Sequence, residues 1–567
     1  MAMLLLIGGF CSVVFKKLKM PAAIGYIVSG IILSNLWSGE SADTEEIVEF
    51  LSDLGLVLMM FCIGMELNLK KLKKMGTFAM MVVMIQVPIM LAGGFTAGSL
   101  IGLNALQSIA FGAIISGSST AVITIVLAEQ DKISHADVET LILVTVIEDV
   151  AQVLILSAIS PMMTGTDLDV AGIVWMLLTV IIFMVVAISV GLMFIPKLLD
   201  YLAEKTSTEV LLIVALGFCF GLSYLSVYIG MSMAIGAFMM GVIVSQSKHH
   251  KHIETDVEPM KDVFMMMFFV SIGLLIRPSD LIHNIHYILL IYVIYFILKC
   301  GSVMAAYFVG NKPLRLSFFC SISLVAMGEF AFIISKEAYS AGIITGDFYT
   351  SVIGAALLSM IVLPLFNRKA DKFCDYVQVH TPQPLVNGFI RLELIRSNFY
   401  TKMSQATKET MSNFRTRLAN MYFTLVLVAI VQIIFILITP GVADFINEHT
   451  PDSISLYITT AVVMLVDFVL LVPILHKTVI NMKYIIRVFL DSERKALAAG
   501  KIHARPNTDK ILRGVTNTNN WIFVVLFDFV ILMITPNEID LWGHIIVAVA
   551  GAVLVAALEI MAYMRRS

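Results

Sequence analysis

The chain has 567 residues, 59% hydrophobic and 14% charged, with a formal net charge of −3 and a mean hydropathy of +0.92. Soluble globular proteins carry about 25% charged residues, so a water-soluble enzyme is excluded and a polytopic membrane protein is implied. The near-neutral total says little, because in such a chain the placement of each Lys and Arg matters more than the sum. The six cysteines, Cys11, Cys62, Cys219, Cys300, Cys320 and Cys374, form no CxxC pair and fall mostly in apolar runs, which argues against disulfides and metal sites.

Apolar runs between polar or Pro/Gly punctuation predict thirteen spans, near 1–15, 21–36, 47–68, 75–101, 105–128, 139–160, 170–195, 207–228, 230–247, 261–276, 284–309, 314–337 and 349–367. No basic residue precedes the first run, so 1–15 reads as a short span and not as a cleaved signal. A polar stretch follows, and then four more spans near 419–440, 455–475, 519–536 and 541–563, with a basic segment from His476 to Asn520 between the middle pair. The expected organisation is a transmembrane domain over 1–368, a cytoplasmic linker over 369–418 and an accessory four-helix domain over 419–567 with cytoplasmic segment 476–520.

With the N-terminus outside, nearly all of the 38 Lys and Arg fall on the cytoplasmic side, the exceptions being Arg277, Lys299 and Lys336. The loop from Gly39 to Glu46 is acidic and falls outside, and the C-terminal Arg565 and Arg566 fall inside. The expected location is therefore the cell membrane, with the C-terminus in the cytoplasm.

A charge at the bilayer centre costs roughly 2.5–3.5 kcal/mol on insertion scales, so each needs a partner, a water-filled cavity or a function. Glu148 and Asp149 lie mid-span in the sixth run, Lys299 mid-span in the eleventh, and Glu329 follows Gly328 in the twelfth. Snorkelling is the ordinary reading of a lone Lys, but Lys299 is about 15 Å from the nearer end at helical rise. The fifth run carries Ser116, Gly117, Ser118, Ser119 and Thr120 at mid-membrane, and the twelfth carries Gly328 at similar depth. Such clusters serve close helix packing or open a helix. Because the fifth and twelfth spans run in opposite directions, spans four to six and eleven to thirteen read as inverted repeats. In that arrangement two broken helices cross and their half-helix ends line an ion site.

Neighbouring helix residues point about 100° apart, so one of the two adjacent acids can pair while the other binds. Burial favours the neutral form of a carboxyl, and a monovalent cation competes with the proton for the same oxygens. A group that holds one or the other, but not both, meets the chemical requirement of an antiporter.

These residues resemble the monovalent cation:proton antiporter-2 family, within the cation/proton antiporter superfamily that includes bacterial sodium/proton antiporters and potassium efflux antiporters. The likeness covers roughly 1–370 and is carried by Leu54–Leu67 (LGLVLMMFCIGMEL), Ser118–Val122 (SSTAV), Glu148-Asp149, Phe268–Gly273 (FFVSIG), Lys299 and Gly328–Phe332 (GEFAF). It implies an all-α sodium/proton-antiporter-like fold with crossed broken helices, a core moving as an elevator, and a scaffold forming a homodimer. By the same resemblance Asp149 binds cation and proton, with Glu148, Thr120 and Ser119 beside it. Lys299 and Glu329 balance charge in the core, and Gly117, Ser118 and Gly328 mark the breaks. Family members often carry Asp, Asn or Gln where Glu148 stands; a Glu148–Lys299 pair would match members with two acids, for which two protons per cation is the expectation.

After Arg368 no GxGxxG follows a predicted strand, so no nucleotide-binding regulatory domain is expected, nor a cofactor or nucleic-acid partner. The four extra spans show an internal echo, FILITP ending at Pro440 against VILMITP ending at Pro536. Asp467, Asp528 and Glu559 in these runs read either as hydrogen-bonded bundle residues or as part of a regulatory bundle. The stretch from Arg391 to Arg417 alternates basic and apolar residues, as an interfacial or a linker helix does. His249, His250 and His252 read as bystanders or as a cytoplasmic pH sensor. The partners expected are Na⁺ or K⁺, H⁺ and the lipid bilayer. A cation channel would need a filter loop, absent here, and an intramembrane protease would need a base or separated aspartates; an ion-coupled solute symporter on the same fold is the other alternative.

Overall fold

The computed structural model describes residues 2–18, 20–36, 42–66, 77–128, 133–164 and 170–368, together with scattered helical residues between 393 and 485. The chain divides into two compact units, Met1–Asp167 with Ala171–Val379, and Leu168–Val170 with His380–Ser567. Among the described residues the first unit is built from helices and turns, with no strand. In chain order these are α1 (Ala2–Lys17), α2 (Ala22–Leu36), α3 (Ala42–Glu66), α4 (Thr77–Leu100), α5 (Ala105–Ile114), α6 (Thr120–Ala128), α7 (His135–Thr164) and α8 (Val170–Lys205). They continue as α9 (Thr208–Tyr228), α10 (Met233–Val244), α11 (His250–Leu274), α12 (Pro278–His283), α13 (Ile285–Val309), α14 (Leu314–Ser323), α15 (Glu329–Ser340) and α16 (Gly346–Arg368).

Helices are what lipid demands, since each satisfies its backbone N–H and C=O groups internally. Six described stretches, within α4, α7, α8, α9, α13 and α16, are long and apolar enough to cross a bilayer. Hydropathy sets the membrane-embedded length but not the helix length. The span expected at 261–276 belongs to α11, which starts eleven residues earlier at His250 and carries Glu254, Asp256 and Glu258 on its polar first half. His250 and His252, expected in a loop, lie in its first turn.

The first unit contains two packed groups. One joins α1, α2, α3, α9, α10 and α11; in it α3 lies against both α10 and α11, and α2 against α11. Two glycine crossings set the spacing. A Cβ added to Gly30 of α2 would stand 2.8 Å from the Cα of Gly273 of α11, and one added to Gly64 of α3 would stand 2.9 Å from the Cα of Gly241 of α10. Backbones meet there as closely as small residues allow. The two crossings exchange if α2 is matched with α10 and α3 with α11. The inverted repeat expected for the later spans thus extends to this group.

The second group joins α4, the α5–α6 pair, α7, α13, the α14–α15 pair and α16, with α4 against α5, α7 and α13, and α15 against α5, α7 and α16. The runs expected to be interrupted are broken: residues 115–119 separate α5 from α6, and residues 324–328 separate α14 from α15. The groups touch through a polar link, where the Lys336 ammonium of α15 donates to Ser52 Oγ of α3 at 2.8 Å and lies 3.4 Å from Asp53 Oδ1. The same ammonium stands 5.6 Å above the Phe268 ring of α11.

In the second unit, helical residues within 412–432 and 466–485 pack through Val428, Leu471, Leu475 and Val479. Thr478 donates to Thr424 at 2.7 Å and Arg417 to Asn481 Oδ1 at 3.0 Å. The spans expected at 519–536 and 541–563, the echo at Pro440 and Pro536, and Asp467, Asp528 and Glu559 lie outside the described residues. So do most of 391–417 and Cys374.

Candidate functional site at the helix crossing

The first break is held from both sides. Asn104 caps α5, accepting from Gln107 N at 2.9 Å while Gln107 Oε1 accepts from Asn104 N at 3.0 Å. After Ile114 the chain leaves the helix, and α6 restarts at Thr120, where Ser119 Oγ accepts weakly from Val122 N at 3.4 Å. Ser119 is thus the N-cap of the second half-helix. The second break ends at Gly328, an extended residue (φ −87°, ψ 177°) that precedes Glu329 at the first position of α15.

The breaks meet directly. Ser119 N donates to Ala326 O at 2.8 Å, one backbone hydrogen bond joining the two unwound segments. Gly328 lies so close to the other segment that a Cβ on it would stand 2.6 Å from Ser118 O. The buried Tyr295 hydroxyl sits between the carbonyls of the two breaks, 3.3 Å from Gly117 O and 3.5 Å from Leu324 O. Met327 N donates to Ser359 Oγ at 2.9 Å and ties the second break to α16.

The adjacent acids part company. Glu148 is fully buried; its Oε2 accepts from Lys299 Nζ at 2.9 Å and its Oε1 from Gln86 Nε2 at 2.7 Å. Lys299 and Gln86 are also fully buried, so this is an ion pair sealed from solvent with a neutral amide completing it. A pair in such surroundings holds together because either partner alone would be an uncompensated charge. Asp149, turned to another side of α7, is partly accessible, and its Oδ2 accepts from Thr120 Oγ1 at 3.0 Å. Among the described residues Asp149 has no ion-pair partner. Glu329 is partly accessible too, and Asp149, Glu66 and Lys261 lie within electrostatic range of it.

The residues expected to bind the cation, balance its charge or break the helices therefore gather at one crossing: Gly117, Ser118, Ser119 and Thr120 on one break, Gly328 and Glu329 on the other, Glu148 and Asp149 on α7, Lys299 on α13. Three further polar side chains were not singled out. Gln86 completes the ion pair, Tyr295 sits one helical turn before Lys299, and Gln152 of α7 is buried against Gly117. An amide within an apolar run is the signal for Gln86 and Gln152; Tyr295 carries none, being one of several aromatics in its run.

A family model described as "Sodium/hydrogen exchanger, transmembrane" matches residues 2–368. Among curated relatives, "K(+) efflux antiporter 5" of Arabidopsis thaliana is 28% identical over 365 residues, covering 63% of this chain and 63% of that protein. "Na(+)/H(+)-K(+) antiporter GerN" of Bacillus cereus is 26% identical over 350 residues, 61% of this chain and 89% of the relative. A "Na(+)/H(+) antiporter" of Enterococcus hirae is 28% identical over 363 residues, 63% and 93%. Among solved structures, the sodium proton antiporter MjNhaP1 from Methanocaldococcus jannaschii superposes with a TM-score of 0.51 at 17% identity, over 65% of this chain and 95% of that one. The fold of the two is the same.

Proposed function

The chain belongs to the sodium/hydrogen exchanger transmembrane family, and we propose that it exchanges Na⁺ or K⁺ for protons across the cell membrane, with Asp149 holding cation and proton in turn. The observation that carries this reading is the division of labour between neighbouring acids: Glu148 is engaged by Lys299 and Gln86, while Asp149 keeps a single hydroxyl partner at 3.0 Å and is partly accessible. An acid already neutralised by an ammonium has little to offer a second cation. One that lies beside the N-terminus of α6, with a single hydroxyl partner and no ammonium, is free to exchange a proton for a cation. The relatives' names, antiporters of Na⁺, K⁺ and H⁺, agree with this chemistry.

In this mechanism a proton and a cation compete for the Asp149 carboxylate, and only a loaded carboxylate lets the α4–α7 and α13–α16 group slide as an elevator against α1–α3 and α9–α11. The Lys336 contact with Ser52 and Asp53 spans the two groups and must open during that movement. An outside N-terminus, a cytoplasmic C-terminus and a homodimer formed through the α1–α3 and α9–α11 group belong to the same proposal.

The test is proton flux in proteoliposomes carrying a pH-reporting dye, with Na⁺ and K⁺ added separately. Cation-driven proton movement is expected for the wild type and is expected to fall to the protein-free background in Asp149→Asn. Flux that persists in Asp149→Asn would place the exchange elsewhere, and uptake of an organic solute without proton exchange would favour symport.

A further inference from the structure

We infer that Gln152 is a ligand of the transported cation and a determinant of which cation is carried; the inference rests on the antiport reading. Gln152 is 1% exposed, and neither its amide oxygen nor its amide nitrogen has a hydrogen-bond partner. Ser118, also 1% exposed, has its hydroxyl beside that of Tyr295. A buried amide with both ends unpaired is costly, and a bound ion would relieve that cost.

Its position says what that ion would be. Gln152 lies three residues after Asp149 on α7, and side chains at that spacing are neighbours on one helix face, about 5–6 Å apart at Cβ. The amide rests on the Cα of Gly117, where a Cβ would overlap its oxygen, so it fills the side-chain space of the first break. A charged carboxylate and a neutral amide thus share one face of α7, the amide lying against the unwound segment. Asp149 supplies the charge, which Na⁺, K⁺ and Li⁺ share alike. Discrimination among them comes from the number and placement of neutral oxygens that replace hydration water, and the Gln152 oxygen is a buried one, three residues from Asp149, with no hydrogen bond of its own. The oxygen of Gln86, the other buried amide nearby, is unpaired too, but its nitrogen is fixed on Glu148, which Lys299 already neutralises.

The experiment compares the wild type with Gln152→Met, which keeps the length and volume of the side chain against Gly117, and with Gln152→Glu, which keeps its oxygens. Proton flux in proteoliposomes is followed as Na⁺, K⁺ and Li⁺ are varied separately. In Gln152→Met the apparent KM for the preferred cation is expected to rise about tenfold, the loss of roughly 1.4 kcal/mol of cation binding, with the maximal rate within about twofold and the preference among the three cations flattened. Gln152→Glu is expected to retain cation-driven flux with an altered preference. Unchanged KM values in Gln152→Met for all three cations would overturn the assignment and leave the amide as filling. If neither variant yields monodisperse protein, Gln152 is structural and the assignment is equally overturned. A wild type without cation-driven proton flux would refute the antiport reading instead. Cation-dependent thermal stabilisation of that wild type, lost in Gln152→Met, would still support the ligand.

Discussion

Lys299→Met is expected to destabilise the protein by about 3–5 kcal/mol, the usual cost of removing one partner from a buried ion pair. Glu148 and Lys299 are both 0% exposed and 2.9 Å apart, so without the ammonium the carboxylate keeps only the Gln86 amide to replace its water. Glu148→Gln, which orphans the ammonium, carries a cost of the same order. The double variant Glu148→Gln/Lys299→Met removes both charges and is expected to recover most of the loss, a coupling read directly from the double-mutant cycle. Unfolding in detergent, followed by denaturant or heat, measures all four proteins. If the single variants are as stable as the wild type, water reaches the pair and the sealed core described above is wrong.

Gly328→Ala is expected to disable transport at least as severely as it loosens the fold. A Cβ at this position would stand 2.6 Å from Ser118 O and 2.9 Å from Ser118 C, atoms of a backbone that cannot rotate away as a side chain can. The two breaks must separate, and the 2.8 Å bond from Ser119 N to Ala326 O stretches or parts. Overpacking of this kind costs typically about 1–3 kcal/mol. The larger effect falls on Thr120 and Asp149, whose 3.0 Å contact is positioned by the restart of α6 just beyond Ser119. Gly301→Ala provides the control, since a Cβ there meets nothing within 4 Å on the same helix as Lys299. It is expected to be neutral or to stabilise by up to about 1 kcal/mol through helix propensity. Equal behaviour of the two variants, in melting temperature and in cation-driven flux, would contradict the close crossing.

Much of this was legible in the chain because membranes make charge conspicuous. Glu148, Asp149, Lys299 and Glu329 stand out in apolar runs, and the Gly/Ser cluster at 116–119 marks a place where a helix cannot easily continue. Opposed span directions then sufficed to anticipate an inverted repeat. Other features were hidden for physical reasons. That Glu148 pairs while Asp149 stays open depends on helix rotation, which adjacency leaves undetermined until Lys299 and Gln86 are placed. Gly30, Gly64, Gly241 and Gly273 look like ordinary membrane glycines, and only the facing helices reveal them as two equivalent crossings. The polar first half of α11 was missed because hydropathy reports what lipid covers and is blind to a helix that runs on into water. Lys336 stood out only as a basic residue away from the cytoplasmic side, and its partners Ser52 and Asp53 lie far off in sequence.

The central claim is that one carboxylate binds either a cation or a proton, and proton release on cation binding tests it most directly. Purified protein in weakly buffered detergent solution is brought to a pH at which Asp149 is partly protonated, and Na⁺, K⁺ or choline chloride is added while pH is recorded. The account predicts acidification in proportion to protein for the transported cation, none for choline, and none for any cation in Asp149→Asn. Cation binding seen by calorimetry without proton release in the wild type, or release that survives in Asp149→Asn, would contradict it.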